Sequence, residues 1–440
     1  MRKNNVFIWS IVVALGGFLF GFDTAVISGA EQSIQKYWQL NDYQHGFTVS
    51  IALIGTFFGA LIGGIPSNAL GRKKTLLLIA AIYLLASLGT ALATNWYVFL
   101  LFRFLGGLGV GASSVTAPIY ISEISPSNRR GRLVALFQFN IVFGILVSYL
   151  SNYLIGRSGE DSWRLMLGIQ AIPSFLFLIL IRFVPESPRW LILNKGRIDE
   201  AGETMKIIDP DGYEKDLEEI KNSMHLGNST TESVFSKTYR KPAMLAFLFA
   251  LFNQLSGINA IIYFAPRIFE MSGLAKSSSL LSTVGIGLVN FSFTLLAMNF
   301  IDRFGRKMLM QVGSVGLIAT LGIASLAMYS HLTGWAVTGA FLVYIAFFAF
   351  SQGAVIWVFI SEIFPNEVRA QGQTLGSSTH WAMAIIIAFS FPFFSHRFGG
   401  APIFAFFCAM MILQLIFVWK VMPETKGRSL EQIGQTVIMH

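Results

Sequence analysis

"LGRKKTLLL" (Leu70–Leu78) has a counterpart in "FGRKMLMQV" (Phe304–Val312), 234 residues further on. Each copy puts a glycine before a basic cluster and an apolar run after it, the pattern of a chain that turns tightly at a membrane surface and re-enters as a helix. Two more pairs follow in the same order. "SEISP" (122–126) matches "SEIFP" (361–365) at 239 residues, and "PES" (185–187) matches "PET" (423–425) at 238. Three near-equal offsets in one order point to a duplicated unit.

Composition says what that unit is. Of 440 residues 54% are hydrophobic and 12% charged, with a mean hydropathy of +0.61, whereas soluble domains are about a quarter charged. Apolar runs of roughly 20 residues, enough to cross a hydrocarbon core about 30 Å thick, recur along most of the chain. Twelve spans are expected: 6–30, 46–69, 75–94, 98–121, 133–155, 163–184, 242–270, 279–302, 308–329, 335–361, 370–394 and 401–422. The expected fold is all-α and integral to the membrane, with an N-terminal six-helix bundle over 1–184, a cytoplasmic helical linker over 185–241, and a C-terminal six-helix bundle with a short tail over 242–440. Two equivalent bundles suit a midplane site reached by alternating access, which is a transporter's architecture. In the linker, "NKGRIDEAGETMKIIDPDGYEKDLEEIKNSM" (194–224) carries apolar residues at helical spacing, interrupted by the turn signal "DPDG". The basic start "MRKNNVFIWS" resembles a signal peptide, but the run that follows is too long, contains Asp23 and lacks a small-residue cleavage site. It reads as the first span.

A net charge of +9 would suit an acidic partner such as nucleic acid, but the basic residues sit mostly in alternate loops. With both termini cytoplasmic, all but seven of the 32 Lys and Arg fall on that side; Lys36, Arg157, Arg164, Arg267, Lys276 and Arg397 lie outside and Arg103 lies within a span. That asymmetry follows the positive-inside rule, so the charge reports topology in a cell membrane and not nucleic-acid binding. The lone Cys408 sits in the last span and forms no internal disulfide. The few histidines make no metal-binding or acid–base cluster in the spans, so neither an enzyme nor a metal site is expected. The only expected cofactor-like species is a coupling proton.

The duplicated motifs place Arg72 in the first half, and Arg303 and Arg306 in the second, beside the carboxylates Glu123 and Glu362. Further arginines, Arg132 and Arg369, follow each carboxylate. These seven residues read as cytoplasmic charge latches that hold one conformation and break in another. The alternative is simple topology anchoring.

"PESPRWL" (185–191), "NQLSGINAIIYFAP" (253–266), "DRFGRK" (302–307), "WVFISEIFP" (357–365) and "PETKGRSLEQI" (423–433) resemble the signatures of the sugar porter family of the major facilitator superfamily, in the family's order and over nearly the whole chain. The resemblance implies that Gln138, Gln254, Asn259, Asn290 and Trp357 bind sugar. Amides donate and accept as hydroxyls do, and an indole covers a pyranose face. Polar residues in spans are expensive unless they face a cavity, although helix–helix bonding can also hold an amide there. Asn253 stands where the family usually has Gln and is shorter by a methylene. His380, before Trp381, stands where an amide is usual; both belong to the implied binding set. Ala354 replaces a common Pro, and Asn68 and Ala69 occupy the place of a motif that usually holds an aspartate. In the seventh span Gly257 and Pro266 bracket "INAIIYFA", so a helix break is expected there, with Tyr263 as an outer-gate residue.

Two charges lie deep in spans, Asp23 in "GGFLFGFDTAVISG" (16–29) and Arg103 in "LLFRFLGGLGVG" (100–111). An unpaired ion there costs about 2.5–3.5 kcal/mol on insertion scales, so the two are expected to pair. The resemblance implies that such a pair couples protons to sugar. The expected function is therefore proton-coupled symport of a monosaccharide, a hexose such as glucose, by a monomer whose twelve spans complete one pathway. A facilitative uniporter is the alternative in mechanism, and a non-transporting sugar sensor the alternative in class.

Overall fold

A computed structural model describes residues 3–426 apart from 127–128, 158, 160, 211, 226–232, 333 and 366–367. Residues 427–433 of the last quoted motif therefore lie outside the described residues, as does part of the linker. The described chain is helical, with no strand among the described residues. Backbone polar groups in hydrocarbon must be satisfied within the chain, and an apolar segment of this length achieves that as a helix.

The elements of the first half are α1 (Lys3–Tyr37), α2 (Asp42–Ile62), α3 (Gly64–Leu70), α4 (Arg72–Leu92), α5 (Trp96–Glu123), α6 (Arg130–Ile155), α7 (Ser162–Gly168) and α8 (Ala171–Leu180). The linker holds α9 (Pro188–Lys195), α10 (Ile198–Ile208) and α11 (Tyr213–His225). The second half holds α12 (Arg240–Leu255), α13 (Ile258–Met271), α14 (Lys276–Phe304), α15 (Arg306–Tyr329), α16 (Gly334–Phe350), α17 (Gln352–Glu362), α18 (Arg369–Phe398) and α19 (Gly400–Lys420). Twelve helical stretches are long and apolar enough to span a membrane. Their hydroxyls bond back to their own helix, as Ser10 to Val6 O (2.8 Å), Thr56 to Ala52 O (2.9 Å) and Thr320 to Gly316 O (2.8 Å). Each such bond satisfies that hydroxyl within its own helix.

Packing groups the chain into two compact units. The first gathers residues 1–26, 51–148 and 160–229, and the second 27–50, 149–159 and 230–440. In the first, Val13, Leu19, Leu76, Tyr83, Val110, Tyr120 and Phe177 are among the residues of the core. The linker helices cluster around Trp190, Leu191, Ile192, Ala201 and Met205, and Trp190 Nε1 donates to Asn68 O (2.7 Å). In the second unit Phe249, Val355, Phe359, Phe364 and Val418 are core residues.

The seventh span breaks where glycine permits it. Gly257 takes φ 86°, in the left-handed region, and separates α12 from α13. Within α13, Phe264 is non-helical (φ −124°, ψ 18°) ahead of Pro266. Pro266 lacks the N–H that Ile262 O would accept four residues back, and Tyr149 Oη donates to that carbonyl instead (2.9 Å). The tenth span also breaks, at Ser351 between α16 and α17, with no glycine or proline at the break.

Candidate functional site

Asp23 follows a close approach of α1 to α6. A Cβ on Gly21 would stand 1.9 Å from the Ile141 carbonyl oxygen, so only glycine fits there. The carboxylate meets α5, where Arg103 Nη1 donates to Asp23 Oδ1 at 3.0 Å; the two residues are 3% and 5% exposed. Gly106, three residues past Arg103, lies beside the pair: a Cβ there would make ordinary contact with Asp23 Oδ1, at 3.6 Å. Arg103 Nε is buried with no acceptor among the described residues. Among the described residues Arg103 is the ion-pair partner of the buried aspartate, through one hydrogen bond.

In the second unit, α12, α13, α17 and α18 assemble amides and aromatic rings. Gln254 is fully buried, and its Nε2 lies 3.0 Å from His380 Nδ1 and 3.1 Å from Nε2. Its Oε1 accepts from Asn259 Nδ2 (2.8 Å), and its Nε2 donates to Asn253 Oδ1 (3.3 Å). Asn253 Nδ2 is buried without an acceptor among the described residues. The His380 ring lies 5.0 Å from both Trp357, tilted at 55°, and Trp381, edge-on at 87°. Trp357 is 39% exposed, the open member of a set otherwise packed away from solvent. Asn290 on α14 is half-buried, and Tyr263 is buried on the kinked α13. Gln138 is half-buried on α6 of the first unit. Chemically, the set offers neutral donors and acceptors beside indole faces, suited to a neutral hydroxyl-rich ligand.

The repeated charge motifs fold alike. Arg72 donates through Nε and Nη2 to Glu123 (2.9 and 3.0 Å), and Arg306 donates through the same atoms to Glu362 (3.2 and 2.8 Å). Such bidentate pairs are the strong form of the contact. Arg72 also donates to Asn68 Oδ1 (3.0 Å), so Asn68 engages the pair despite its lack of charge. Arg132 and Arg303 are exposed, and Arg369 donates to the Phe364 carbonyl (3.2 Å), with no carboxylate bonded to it among the described residues.

Two acids unassigned from the motifs stand beside these charge pairs. Glu186 Oε1 accepts the backbone N–H of Arg72, Lys73 and Ser187 (2.9, 3.1 and 2.8 Å). Glu424 Oε1 accepts those of Arg306, Thr425 and Lys426 (3.0, 2.9 and 3.0 Å), and its Oε2 that of Lys307 (3.0 Å). Each acid satisfies orphan donors at the start of a span. Gly71 (φ 97°) and Gly305 (φ 88°) make this possible, because a Cβ would come within 2.3 Å of Glu186 Oε2 and 2.7 Å of Glu424 Oε2. The two carboxyls nevertheless differ. Burial pushes Glu186 above its ordinary value despite its three N–H donors. At Glu424 burial acts the same way, but four backbone donors outweigh it and hold the carboxyl below its ordinary value. The "PES" and "PET" repeats were the sequence signal for both acids.

Residues 9–436 match the family described as "Sugar (and other) transporter". The chain belongs to this sugar porter family of the major facilitator superfamily. Among family members it is 35% identical to the D-xylose-proton symporter of Escherichia coli K12, over 98% of this chain and 96% of that protein. It is 36% identical to the glucose transporter GlcP of Staphylococcus epidermidis, over 98% and 97%. The inward-open structure of the E. coli xylose transporter XylE aligns with a TM-score of 0.88 and 33% identity, over 98% of this chain and 99% of that one. The expected twelve-helix all-α fold is therefore that of the family, and the chain is a multi-pass membrane transporter and not an enzyme.

Proposed function

We propose that this porter couples proton movement to the uptake of a monosaccharide, a hexose such as glucose, by alternating access as a monomer in a cell membrane, with both termini cytoplasmic. The observation that carries the reading is the buried Asp23–Arg103 pair. External protonation of Asp23 weakens its hold on Arg103 and permits the conformational step with sugar bound. Release of the proton inside restores the pair. The proton is the coupling ion, and no other cofactor takes part. Gln254, Asn259, Asn290, Trp357 and His380, with Asn253, Trp381 and Gln138, bind the sugar hydroxyls and ring face, and Tyr263 closes the outer side. The cytoplasmic latches are Arg72–Glu123 and Arg306–Glu362, with Arg132, Arg303 and Arg369 supplying the surrounding positive charge. The proton and sugar coupling named for the E. coli relative supports this assignment. The alternatives are uniport and sugar sensing.

Each 100 mV of membrane potential supplies about 2.3 kcal/mol per proton, enough for useful accumulation at one proton per sugar. The test is labelled-glucose uptake into proteoliposomes under an imposed proton gradient. Accumulation above the external level that collapses with an uncoupler is the expected result. Equilibration without accumulation establishes uniport, and absence of flux with retained sugar binding favours a sensor. Competition by a panel of pentoses and hexoses then identifies the sugar.

A further inference from the structure

Glu31 lies eight residues beyond Asp23 on α1, about 12 Å further along the helix. It is fully buried, and so is His45 on α2. Arg267 on α13 grips the Glu31 carboxylate with two bonds, Nε to Oε1 (3.0 Å) and Nη2 to Oε2 (2.7 Å), and also donates to Gln35 Oε1 (2.6 Å). His45 Nε2 lies 2.6 Å from Glu31 Oε2. Because an ionised carboxylate only accepts, Nε2 carries the hydrogen. His45 Nδ1 is buried with no hydrogen-bond partner among the described residues. The cluster is charge-balanced with a neutral imidazole: one carboxylate, one guanidinium, one neutral ring.

The tie closes over the kinked part of α13. Phe264, where the helix departs from regular geometry, stacks on Phe391 of α18 at 4.7 Å and meets the His45 ring edge-on at 6.3 Å. A second proton on His45 would leave two cations on one carboxylate, with Arg267 Nη2 only 3.4 Å from His45 Nε2, and a buried Nδ1–H without an acceptor. A proton passed on to Glu31 would instead remove the anion that Arg267 needs. Either placement breaks the tie. Glu270 and Asp42 also act electrostatically on Arg267, but among the described residues the carboxylate bonded to it is that of Glu31. Asp42 of α2 pairs with exposed His396 of α18 (2.8 Å), Glu270 of α13 is half-buried, and Lys36 of α1, Lys276 of α14 and Arg397 of α18 are exposed.

We propose that Glu31, His45 and Arg267 form a second proton-binding site, distinct from Asp23 and Arg103, which fastens α13 to α1 and α2 and releases it when His45 is protonated. Imidazole is the side chain that ordinarily changes charge between about pH 5 and 8, so acidity on the side this cluster faces becomes the opening signal.

The test needs neither sugar nor a proton gradient, so its outcome is independent of the symport reading. Spin labels at Gln39→Cys and Ser277→Cys in a Cys408→Ala background report the distance between the α1–α2 turn and the start of α14, in full-length protein in nanodiscs. Between about pH 8 and 5.5 the ratio of long to short distances should rise about tenfold. His45→Gln, whose amide keeps a donor for Glu31 but does not titrate, should stay short at both values. Glu31→Gln should be long at both, and Asp23→Asn should shift as the parent does. A parent that does not respond to pH, or a His45→Gln protein that shifts with the parent's midpoint, overturns the proposal. If His45→Gln does not fold, Glu31→Gln decides: retention of the parent's short distance at pH 8 overturns it.

Discussion

Glu186→Gln and Glu424→Gln are the same substitution at equivalent places in the two halves, and they should behave differently. All three backbone donors on Glu186 converge on Oε1, so a glutamine can keep that oxygen in place and turn its NH2 aside. Burial already disfavours the ionised form of Glu186, so removal of the charge relieves a penalty. Glu424 uses both oxygens, and a glutamine would set its NH2 against the Lys307 N–H while weakening three further bonds. Bonds to a charged acceptor are worth about 1.5–3 kcal/mol and neutral ones about 1. With allowance for the partly solvated position, Glu424→Gln should cost about 2 kcal/mol. Glu186→Gln should be within about 0.5 kcal/mol of the parent, or more stable.

The pH dependence of the pair has opposite signs. Glu424 stabilises above its unfolded value, near 4.5, and loses that contribution as pH falls through its lower folded value, so the deficit of Glu424→Gln should shrink in acid. Glu186 favours the fold when protonated. Its contribution is complete below about 4.5 and lost as pH rises through its higher folded value, so Glu186→Gln should gain on the parent towards neutral pH. Thermal unfolding in detergent, followed by size-exclusion fluorescence at about pH 7, 4.5 and 3, reads both, the Glu424 change falling in the most acid interval. A Glu186→Gln deficit equal to or larger than that of Glu424→Gln would refute this account of the two latches.

Gly21→Ala should cost more than about 3 kcal/mol, because its new methyl meets the Ile141 backbone at 1.9 Å; expression of monodisperse protein at the parent's level would contradict it. Gln254→Ala and Trp357→Ala should each weaken sugar binding about tenfold or more in equilibrium titrations, with unchanged affinity rejecting the assigned site. Asn253→Gln should tighten sugar binding about threefold by extending an amide whose Nδ2 has no acceptor among the described residues; weaker binding would show that the shorter side chain is the fitted one.

The twelve spans were legible because hydrocarbon thickness imposes one length and one composition on each. The seventh-span break was readable from Gly257 and Pro266, whose backbone chemistry permits it. The break at Ser351 was not, since serine carries no comparable local constraint and the break depends on neighbouring helices. Asp23 and Arg103 stood out as charges deep in apolar runs, where only a partner makes them tolerable. Glu31, His45 and Arg267 gave no such signal. They lie near span ends, where charge is cheap, and the chain separates Glu31 from Arg267 by 236 residues. Glu186 and Glu424 were visible as repeats, but a carboxylate that accepts backbone N–H groups from a distant helix start leaves no local spacing to read. Arg369 illustrates the reverse, a basic residue beside a motif carboxylate whose described bond goes to a carbonyl.

The most direct test of the coupling claim compares Asp23→Asn with the parent in one set of proteoliposomes, measuring both sugar accumulation under an inward proton gradient and sugar exchange without one. The expected result is loss of accumulation with exchange still measurable, because the amide cannot release a proton inside. Full gradient-driven accumulation by Asp23→Asn would contradict the assignment of Asp23 as the coupling group.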